Sequence, residues 1–269
     1  MVGSWNLKYS QPKGLNKVQE KEMAEQNLIL KVRTGSHLYG TNTEKSDLDT
    51  VGLCIPNIEY VVGNKHFEQY QYNSNPSSSG HRNTAQDEDI TIYSLPKFLH
   101  LLAGCNPNIT EIPFAPANCI LFCNKYGQMI LDNTKLFLNQ RCYYSFSGYA
   151  HSQEKKMCTK DPIWSRKELV DTYGYDVKFG MHLIRLYYEC IELLKDECIT
   201  LPHIQVRKLI DIKQGKYKLE DILAEANRLQ ILTDEVWATT KLPKHPDLEA
   251  INKLQIDMLV SFWKETGQL

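Results

Sequence analysis

The sequence predicts an α+β protein in which strands are confined to the first half and the second half is helical. Before residue 125, short segments alternate aliphatic with polar or charged residues, as the strands of a half-buried sheet do. Beyond it, apolar residues recur with the period of an α-helix. The 269 residues suffice for one large or two modest domains, and no linker-like stretch separates the halves. We therefore expect two tightly packed parts, residues 1–125 and 126–269.

The first half is predicted to begin with a helix, a strand and a short helical turn. Leu15–Gln26 is rich in Lys, Glu and Ala, and Leu28–Arg33 alternates aliphatic with basic residues. Ser36–Tyr39 follows as the helical turn. Asp47–Ile55 has the pattern of a second strand, which Pro56 ends.

A long stretch without clear periodicity, residues 56–86, leads to a third strand at Asp87–Tyr93. Its later part, Asn73–Gln86, is rich in Asn, Ser and Gly, and it suits either a passive loop or a mobile substrate lid. Leu95–Ala103 then predicts an amphipathic helix, which Gly104 closes.

The second half is predicted to consist of helices. The segments with helical periodicity are Tyr126–Leu138, Ser145–Cys158, Tyr173–Asp196, Gln205–Lys213, Leu219–Leu232 and Pro246–Thr266.

Charge and cysteine content narrow the class of protein. Lys and Arg number 31 and Asp and Glu 32, for a net charge of −1, which excludes a highly basic nucleic-acid coat protein but not a local basic groove. The eight cysteines lack zinc-site spacing, and the apolar segment between Cys119 and Cys123 suits a buried strand or helix. The first 27 residues contain no continuous apolar run. We therefore expect a cytoplasmic protein with reduced thiols and no membrane span.

Two aspartates and a Gly-Ser turn form the motif with the clearest chemistry. In an extended strand Asp47 and Asp49 share one face, and two adjacent carboxylates repel each other unless a cation lies between them. A hard cation such as Mg²⁺ prefers such oxygens together with substrate phosphates. Gly35 and Ser36, twelve residues before Asp47, offer backbone N–H groups to a phosphate.

A third carboxylate is expected from Asp89, which opens the next strand. Phosphoryl transfer often uses two metal ions, and Asp89 would help to place the second one. It could act only as a metal ligand or also deprotonate the acceptor hydroxyl. The alternative for the aspartates is that they are ordinary turn and strand-edge residues at the surface.

Taken together, Gly35-Ser36, Asp47-Leu48-Asp49 and Asp89 resemble the signature of the DNA polymerase β-like nucleotidyltransferase superfamily. The string from Gly35 to Gly52 is most similar to the predicted nucleotidyltransferases associated with RNA ligase and RNA repair. Weaker similarities follow in the expected order, so that the resemblance spans roughly residues 30–215. These are Asp89-Ile90, Tyr93-Ser94-Leu95, Lys97-Phe98-Leu99, Asn106-Pro107, Glu111, Lys178, His182 and Arg185-Leu186.

The resemblance implies a small mixed sheet flanked by helices, followed by a helical domain that closes a nucleotide cleft. It implies Mg²⁺ or Mn²⁺ and a nucleoside triphosphate. By matching position, the metal ligands and catalytic residues are Asp47, Asp49 and Asp89, and the phosphate turn is Gly35 and Ser36. His37 stands where Arg is common in the family, so a phosphate-facing cation is either missing or pH-sensitive.

Lys178, His182 and Arg185 are spaced to form one stripe of a helix. From spacing alone, the stripe suits a solvated surface and a phosphate-binding cleft wall equally. The resemblance favours nucleotide binding by all three residues.

The function expected from these residues is transfer of a nucleoside monophosphate from a triphosphate to an acceptor hydroxyl. The resemblance favours an RNA 3′ end, such as that of a tRNA, as acceptor. The alternatives are a protein or small-molecule hydroxyl, and a non-catalytic nucleotide-binding or regulatory module. No sequence feature indicates an oligomeric state or a preferred base.

Overall fold

A computed structural model describes residues 15–75, 84–158 and 164–269 of the chain. A five-stranded mixed sheet lies in the first half of this described part, and helices make up most of the second half, which confirms the α+β prediction. The strands are β1 (Leu28–Arg33), β2 (Leu48–Cys54), β3 (Gln69–Asn73), β4 (Glu88–Ser94) and β5 (Ile120–Cys123).

The sheet has the order β3-β4-β2-β1-β5. β1 pairs antiparallel with β2 on one side and with β5 on the other. β2 pairs parallel with β4 in seven consecutive positions without a bulge, and β3 pairs antiparallel with the outer side of β4. The parallel pair at the centre places Asp49 directly opposite Asp89.

Helices of the described residues pack on the sheet and form the second half. They are α1 (Leu15–Gln26), α2 (Gly35–Tyr39), α3 (Ile58–Val61), α4 (Leu95–Ala103), α5 (Pro107–Thr110), α6 (Lys125–Asp132), α7 (Arg141–Met157), α8 (Trp164–Tyr173), α9 (Val177–Asp196), α10 (Val206–Lys213), α11 (Leu219–Thr239) and α12 (Leu248–Glu265). Short 3₁₀ turns occupy Ile112–Phe114, Ala117–Cys119 and Thr134–Phe137. No helix of the described residues is both long and apolar enough to cross a membrane.

The stretch predicted as irregular, residues 56–86, contains structure. α3 and β3 lie within it, and β3 was missed because its sequence, Gln-Tyr-Gln-Tyr-Asn, carries no aliphatic residue. β3 lies at the edge of the sheet, where a strand can form without aliphatic residues. Residues 76–83 of the predicted loop lie outside the described residues. The segment between Cys119 and Cys123, predicted as a buried strand or helix, is the edge strand β5, and its Leu121 and Phe122 are exposed.

Several helix ends differ from the prediction because local hydrogen bonds set them. The helix predicted from Tyr126 to Leu138 ends at Asp132, where the side-chain amide of Asn133 donates to the backbone oxygen of Met129. The helix predicted from Tyr173 begins at Val177 instead. There the Asp176 carboxylate accepts the backbone N–H of Lys178 and Phe179 as an N-cap.

Two long helices extend further than their periodicity indicated, whereas α12 is slightly shorter than predicted. α7 begins at Arg141, four residues before the predicted start, and α11 continues to Thr239 instead of Leu232. The added turns begin at the exposed Arg141 in α7 and contain the exposed Asp234 and Glu235 in α11, which interrupt the apolar pattern.

The C-terminal helix α12 packs against the sheet and not only against the second half. Met258, Phe262 and Trp263 share one core with Ile29 of β1 and neighbouring residues of the sheet. The indole Nε1 of Trp263 donates to the backbone oxygen of Pro56 at 2.9 Å. Packing therefore continues across residues 125 and 126. The division of the chain into two domains at this point stays a prediction.

A buried ionic network joins α9 to the first half. The Nη1 atom of Arg185 donates to Glu111 Oε2 at 3.0 Å and to Glu189 Oε1 at 2.8 Å. Tyr39, at the end of α2, donates its hydroxyl to Glu111 Oε1 at 2.9 Å, and its ring lies 4.0 Å from the guanidinium carbon of Arg185. All four side chains are buried, so one guanidinium serves two carboxylates in a low-dielectric site.

Replacing Arg185 with Met should destabilise the protein strongly, because Glu111 and Glu189 lose their buried cation. We expect a loss of about 3–5 kcal/mol in the free energy of unfolding, measured by urea denaturation. The control is Arg228→Met, which removes an exposed guanidinium paired with Glu225 and should cost less than about 1 kcal/mol. Equal losses in the two variants would contradict the assignment of Arg185 as the buried link.

Candidate active site

Two aspartates meet through the register of the parallel strands. Asp49 of β2 and Asp89 of β4 are direct partners, and side chains at partnered positions of a parallel pair lie on the same face of the sheet. Asp47 lies just before β2, close enough that its charge acts on both of the others. The structure thus brings together the three aspartates that the sequence singled out.

Burial and mutual repulsion raise the pKa values of this cluster. Burial, followed by the charges of Asp47 and Asp89, raises the pKa of Asp49 to about 6. Burial and the charge of Asp47 raise the pKa of Asp89, while a hydrogen bond from Asn73 Nδ2 to Asp89 Oδ2 (3.3 Å) opposes this rise. A carboxylate cluster of this kind holds an excess of negative charge that a cation would neutralise.

Gly35 is required at its position for two reasons. Its φ of +61° lies in the left-handed region, which is costly for residues with a Cβ. A Cβ there would also overlap Asp49 Oδ2 and lie 3.0 Å from Asp49 Cγ. The backbone N–H of Thr34 donates to the backbone oxygen of Asp49 at 2.9 Å, so turn and aspartate are held side by side.

Ser36 contributes a buried hydroxyl to the same turn. Its Oγ atom has no hydrogen-bond partner among the described residues, and neither do His37 Nε2 and Thr41 Oγ1 nearby. Buried polar atoms are nearly always hydrogen-bonded, so these three atoms leave hydrogen-bonding capacity unused around one short turn.

Asp87 has a structural place outside this cluster. Its carboxylate accepts the backbone N–H of Thr84 at 2.6 Å and the Ser74 hydroxyl at 3.1 Å, and these bonds lower its pKa. It ties the turn before β4 to the end of β3 and serves as a control position for charge removal.

The helical half contributes Lys178 and His182 to the same region. The charge of Lys178 acts on Asp49 and opposes the rise of its pKa. Burial, together with the surrounding cations, lowers the pKa of His182 to about 3, so its imidazole is neutral at neutral pH. Its ring makes an edge contact with Tyr39, with centroids 6.5 Å apart.

Arg185 does not lie on the cleft wall with these two residues, which corrects the predicted stripe. Its side chain is 2% exposed, and its Nη1 donates to Glu111 and Glu189. Helical spacing specifies only the direction of a side chain around the helix axis. Glu111 and Tyr39 pack against α9 at Arg185, so this residue of the stripe lies in the protein interior. Arg185 is therefore placed to support α2 through Tyr39 and not to contact a nucleotide directly.

One cation near the aspartates was missed by sequence reasoning. Lys213, at the end of α10, donates from Nζ to the backbone oxygen of Thr41 at 2.9 Å, and Asp47 and Lys178 both act on its charge. No sequence signal distinguishes it from other lysines at helix ends. Its place depends on how α10 packs beside α2.

The residues present fit a divalent cation. Within the described residues, no three His, Cys, Asp or Glu side chains are close enough to form a complete metal cage. Magnesium usually binds through one or two carboxylates together with waters and substrate phosphates, and therefore needs no such cage. The hard oxygen donors of Asp47 and Asp49, beside a glycine that leaves room for them, suit that mode.

The chain is similar to proteins that have been described before. A protein of Enterobacteria phage T4, described as an uncharacterized 38.9 kDa protein in the nrdC-mobD intergenic region, is 29% identical over 134 residues. The match covers 49% of this chain and only 39% of that protein's length. A nucleotidyltransferase-like protein from Exiguobacterium sibiricum 255-15 aligns over 94% of this chain and 90% of its own, with 10% identity and a TM-score of 0.29, which is too low to support an argument.

The family comparison covers most of the chain. The sequence profile described as RlaP, the RNA repair pathway DNA polymerase beta family, matches residues 10–257. This match includes the Gly35-Ser36 turn, all three aspartates and the helices that carry Lys178, His182 and Lys213. The chain belongs to the RNA repair pathway DNA polymerase beta family.

Proposed function

We propose that this protein is a metal-dependent nucleotidyltransferase that moves a nucleoside monophosphate from a triphosphate to a hydroxyl at an RNA 3′ end. The observation that carries the proposal is the juxtaposition of Asp49 with Asp89 by strand register and with Gly35 by a contact that only glycine permits. A half-buried cluster of like charges destabilises the folded protein unless a cation neutralises it. Family membership supports RNA as the acceptor class.

In this proposal the three carboxylates divide the work. Asp47 and Asp49 would hold Mg²⁺ or Mn²⁺, which neutralises charge on the triphosphate when bound. Asp89, the more exposed partner, accepts the proton of the acceptor hydroxyl or places a second metal ion. The acceptor oxygen forms a bond to the α-phosphorus, the bond from that phosphorus to the bridging oxygen breaks, and pyrophosphate leaves.

The remaining residues position the donor. The Ser36 hydroxyl and the backbone of its turn bind phosphate oxygens, and the free hydrogen-bonding capacity of Ser36 Oγ supports this role. Lys178 supplies positive charge from α9. His182, neutral at working pH, acts as a hydrogen-bonding group and not as a cation.

The deciding experiment is transfer of label from α-³²P nucleoside triphosphates to purified RNA in the presence of Mg²⁺. We expect labelled RNA from the native protein and a loss of about 100-fold or more in Asp49→Asn, because carboxylate ligation of the metal supplies several kcal/mol of transition-state stabilisation. Asp87→Asn, the matched control, should keep the native rate. Transfer by Asp49→Asn at the native rate would refute the metal assignment.

Absence of transfer by the native protein, with triphosphate still bound, would favour a non-catalytic nucleotide-binding module. Label in protein or in a small molecule instead of RNA would support nucleotidyl transfer but would show that RNA is not the acceptor.

Gly35→Ala should abolish most transfer while leaving a folded protein. The added methyl group would displace Asp49 as well as strain the backbone, and the strain alone costs about 1–2 kcal/mol. Gly174→Ala is the control, since Gly174 also has a positive φ (+80°) but no atom of the described residues within 4 Å of its added Cβ. Gly174→Ala should lose only the stability that backbone strain costs, Gly35→Ala should lose at least as much, and only Gly35→Ala should lose activity. If both lost activity equally, the contact with Asp49 would not be the cause.

The neutral state of His182 predicts a pH effect on stability. The unfolded chain protonates this imidazole below about pH 6.5, whereas the folded protein does not until about pH 3. The unfolded state therefore binds more protons as pH falls from 7.5 to 5, and stability is lost over that range. His182→Gln should show a smaller fall in melting temperature between these pH values. His245→Gln, at an exposed loop position, should follow the native protein, and a native-like fall in His182→Gln would contradict the neutral state of His182 in the folded protein.

A further inference from the structure

The half-buried lysine of α10 reaches the phosphate turn from a distant part of the chain. Lys213 Nζ donates to the backbone oxygen of Thr41 at 2.9 Å. Thr41 in turn donates its backbone N–H to the backbone oxygen of Ser36 at 2.9 Å. Thr41 thus connects the ammonium group of Lys213 to the turn that carries Ser36.

The turn itself brings no permanent cation. No Lys or Arg occurs from Gly35 to Glu44. A polyphosphate bound there needs positive charge, and that charge must come from another element. Within the described residues, the charges of Lys178 of α9 and Asp47 act on Lys213 of α10, and the charge of Lys178 acts on Asp49, so both lysines are placed to supply it.

The environment of Lys213 is unfavourable without an anion. Burial and the nearby charge of Lys178 lower the pKa of its ammonium, and Asp47 only partly opposes this. In the described part of the chain, no carboxylate lies within ion-pair distance of its Nζ, in contrast to Lys216, whose Nζ is 2.7 Å from Asp211 Oδ1. Two adjacent ammonium groups of this kind are stabilised by an anion with several negative charges.

The two residues of this contact chain, Thr41 and Ser36, also carry unused hydroxyls. Thr41 Oγ1 and Ser36 Oγ are buried without a hydrogen-bond partner in the described residues. Hydroxyl donors combined with a lysine form a common phosphate-binding set, and here the same residue, Thr41, touches both Lys213 and the turn.

We propose that Lys213 and Thr41 form a polyphosphate subsite that binds the pyrophosphate end of the nucleoside triphosphate. This inference rests on the proposed function for the identity of its ligand. In the subsite the ammonium of Lys213 keeps its bond to the Thr41 carbonyl and directs its other two N–H groups to phosphate oxygens. Thr41 Oγ1 donates to the same group.

The test is isothermal titration calorimetry with inorganic tripolyphosphate, which carries no base, in buffer containing Mg²⁺. Lys213→Met should weaken binding by about 10- to 100-fold, because a charge-assisted hydrogen bond is lost. Lys213→Arg should restore most of the affinity. Lys216→Met removes the same charge three residues away and should bind like the native protein.

A second variant separates binding from folding. Thr41→Val removes a buried hydroxyl that has no partner, so the ligand-free protein should be as stable as the native protein or more so. Its affinity for tripolyphosphate should nevertheless fall several-fold. A residue with a merely structural role would not produce this combination.

The outcomes distinguish the subsite from the proposed function. Native tripolyphosphate affinity in both Lys213→Met and Thr41→Val, equal losses in Lys216→Met, or no binding by the native protein would overturn the subsite. Lys213-dependent binding without nucleotidyl transfer would uphold the subsite and refute the proposed function. Nucleotidyl transfer with a KM for triphosphate that Lys213→Met leaves unchanged would uphold the proposed function and refute the subsite.

Discussion

The parallel pairing of β2 with β4 is the constraint on which the site depends. Seven consecutive partners without a bulge leave no freedom of register, so Asp49 and Asp89 must lie side by side. The repulsion this creates, together with burial, raises the pKa of Asp49 to about 6. A shift of one strand by one residue would relieve the repulsion but would also turn the apolar residues of that strand out of the core. The sheet therefore holds together charges that would separate in its absence.

The short helix α2 is the second element that this arrangement requires, and it is held from both halves. On the sheet side, Gly35 lies against the Asp49 carboxylate. On the helical side, Tyr39 bonds Glu111 and stacks on Arg185, and Gly40 lies so close to Pro202 that a Cβ would come within 2.9 Å of it. A helix of five residues is too short to be stable alone, so tertiary contacts hold α2 in place. The helical half is thus connected to the Gly35-Ser36 turn through the contacts of Tyr39 and Gly40.

Much of the fold could be predicted because strong local patterns governed it. β1, β2 and β4 alternate aliphatic residues, and α4 has a clear apolar face closed by Gly104, so each was found within a residue or two. β3 was missed because an edge strand without aliphatic residues resembles a loop. Helix ends such as Val177 depended on a capping aspartate, Asp176, which periodicity alone does not detect.

Local sequence specified the Gly-Ser and aspartate motif. Its residues Gly35, Ser36, Asp47, Asp49 and Asp89 lie in one glycine-dependent turn and at the starts of two strands, where local geometry decides which way side chains point. What faces that motif depended on how distant elements pack. Lys178, His182 and Arg185 share a helical stripe, yet Glu111 and Tyr39 draw Arg185 into the core. Lys213 has no local signal at all and reaches Thr41 from 172 positions away. Spacing along a chain specifies the direction of a side chain on its own element, whereas its partner depends on which elements pack together.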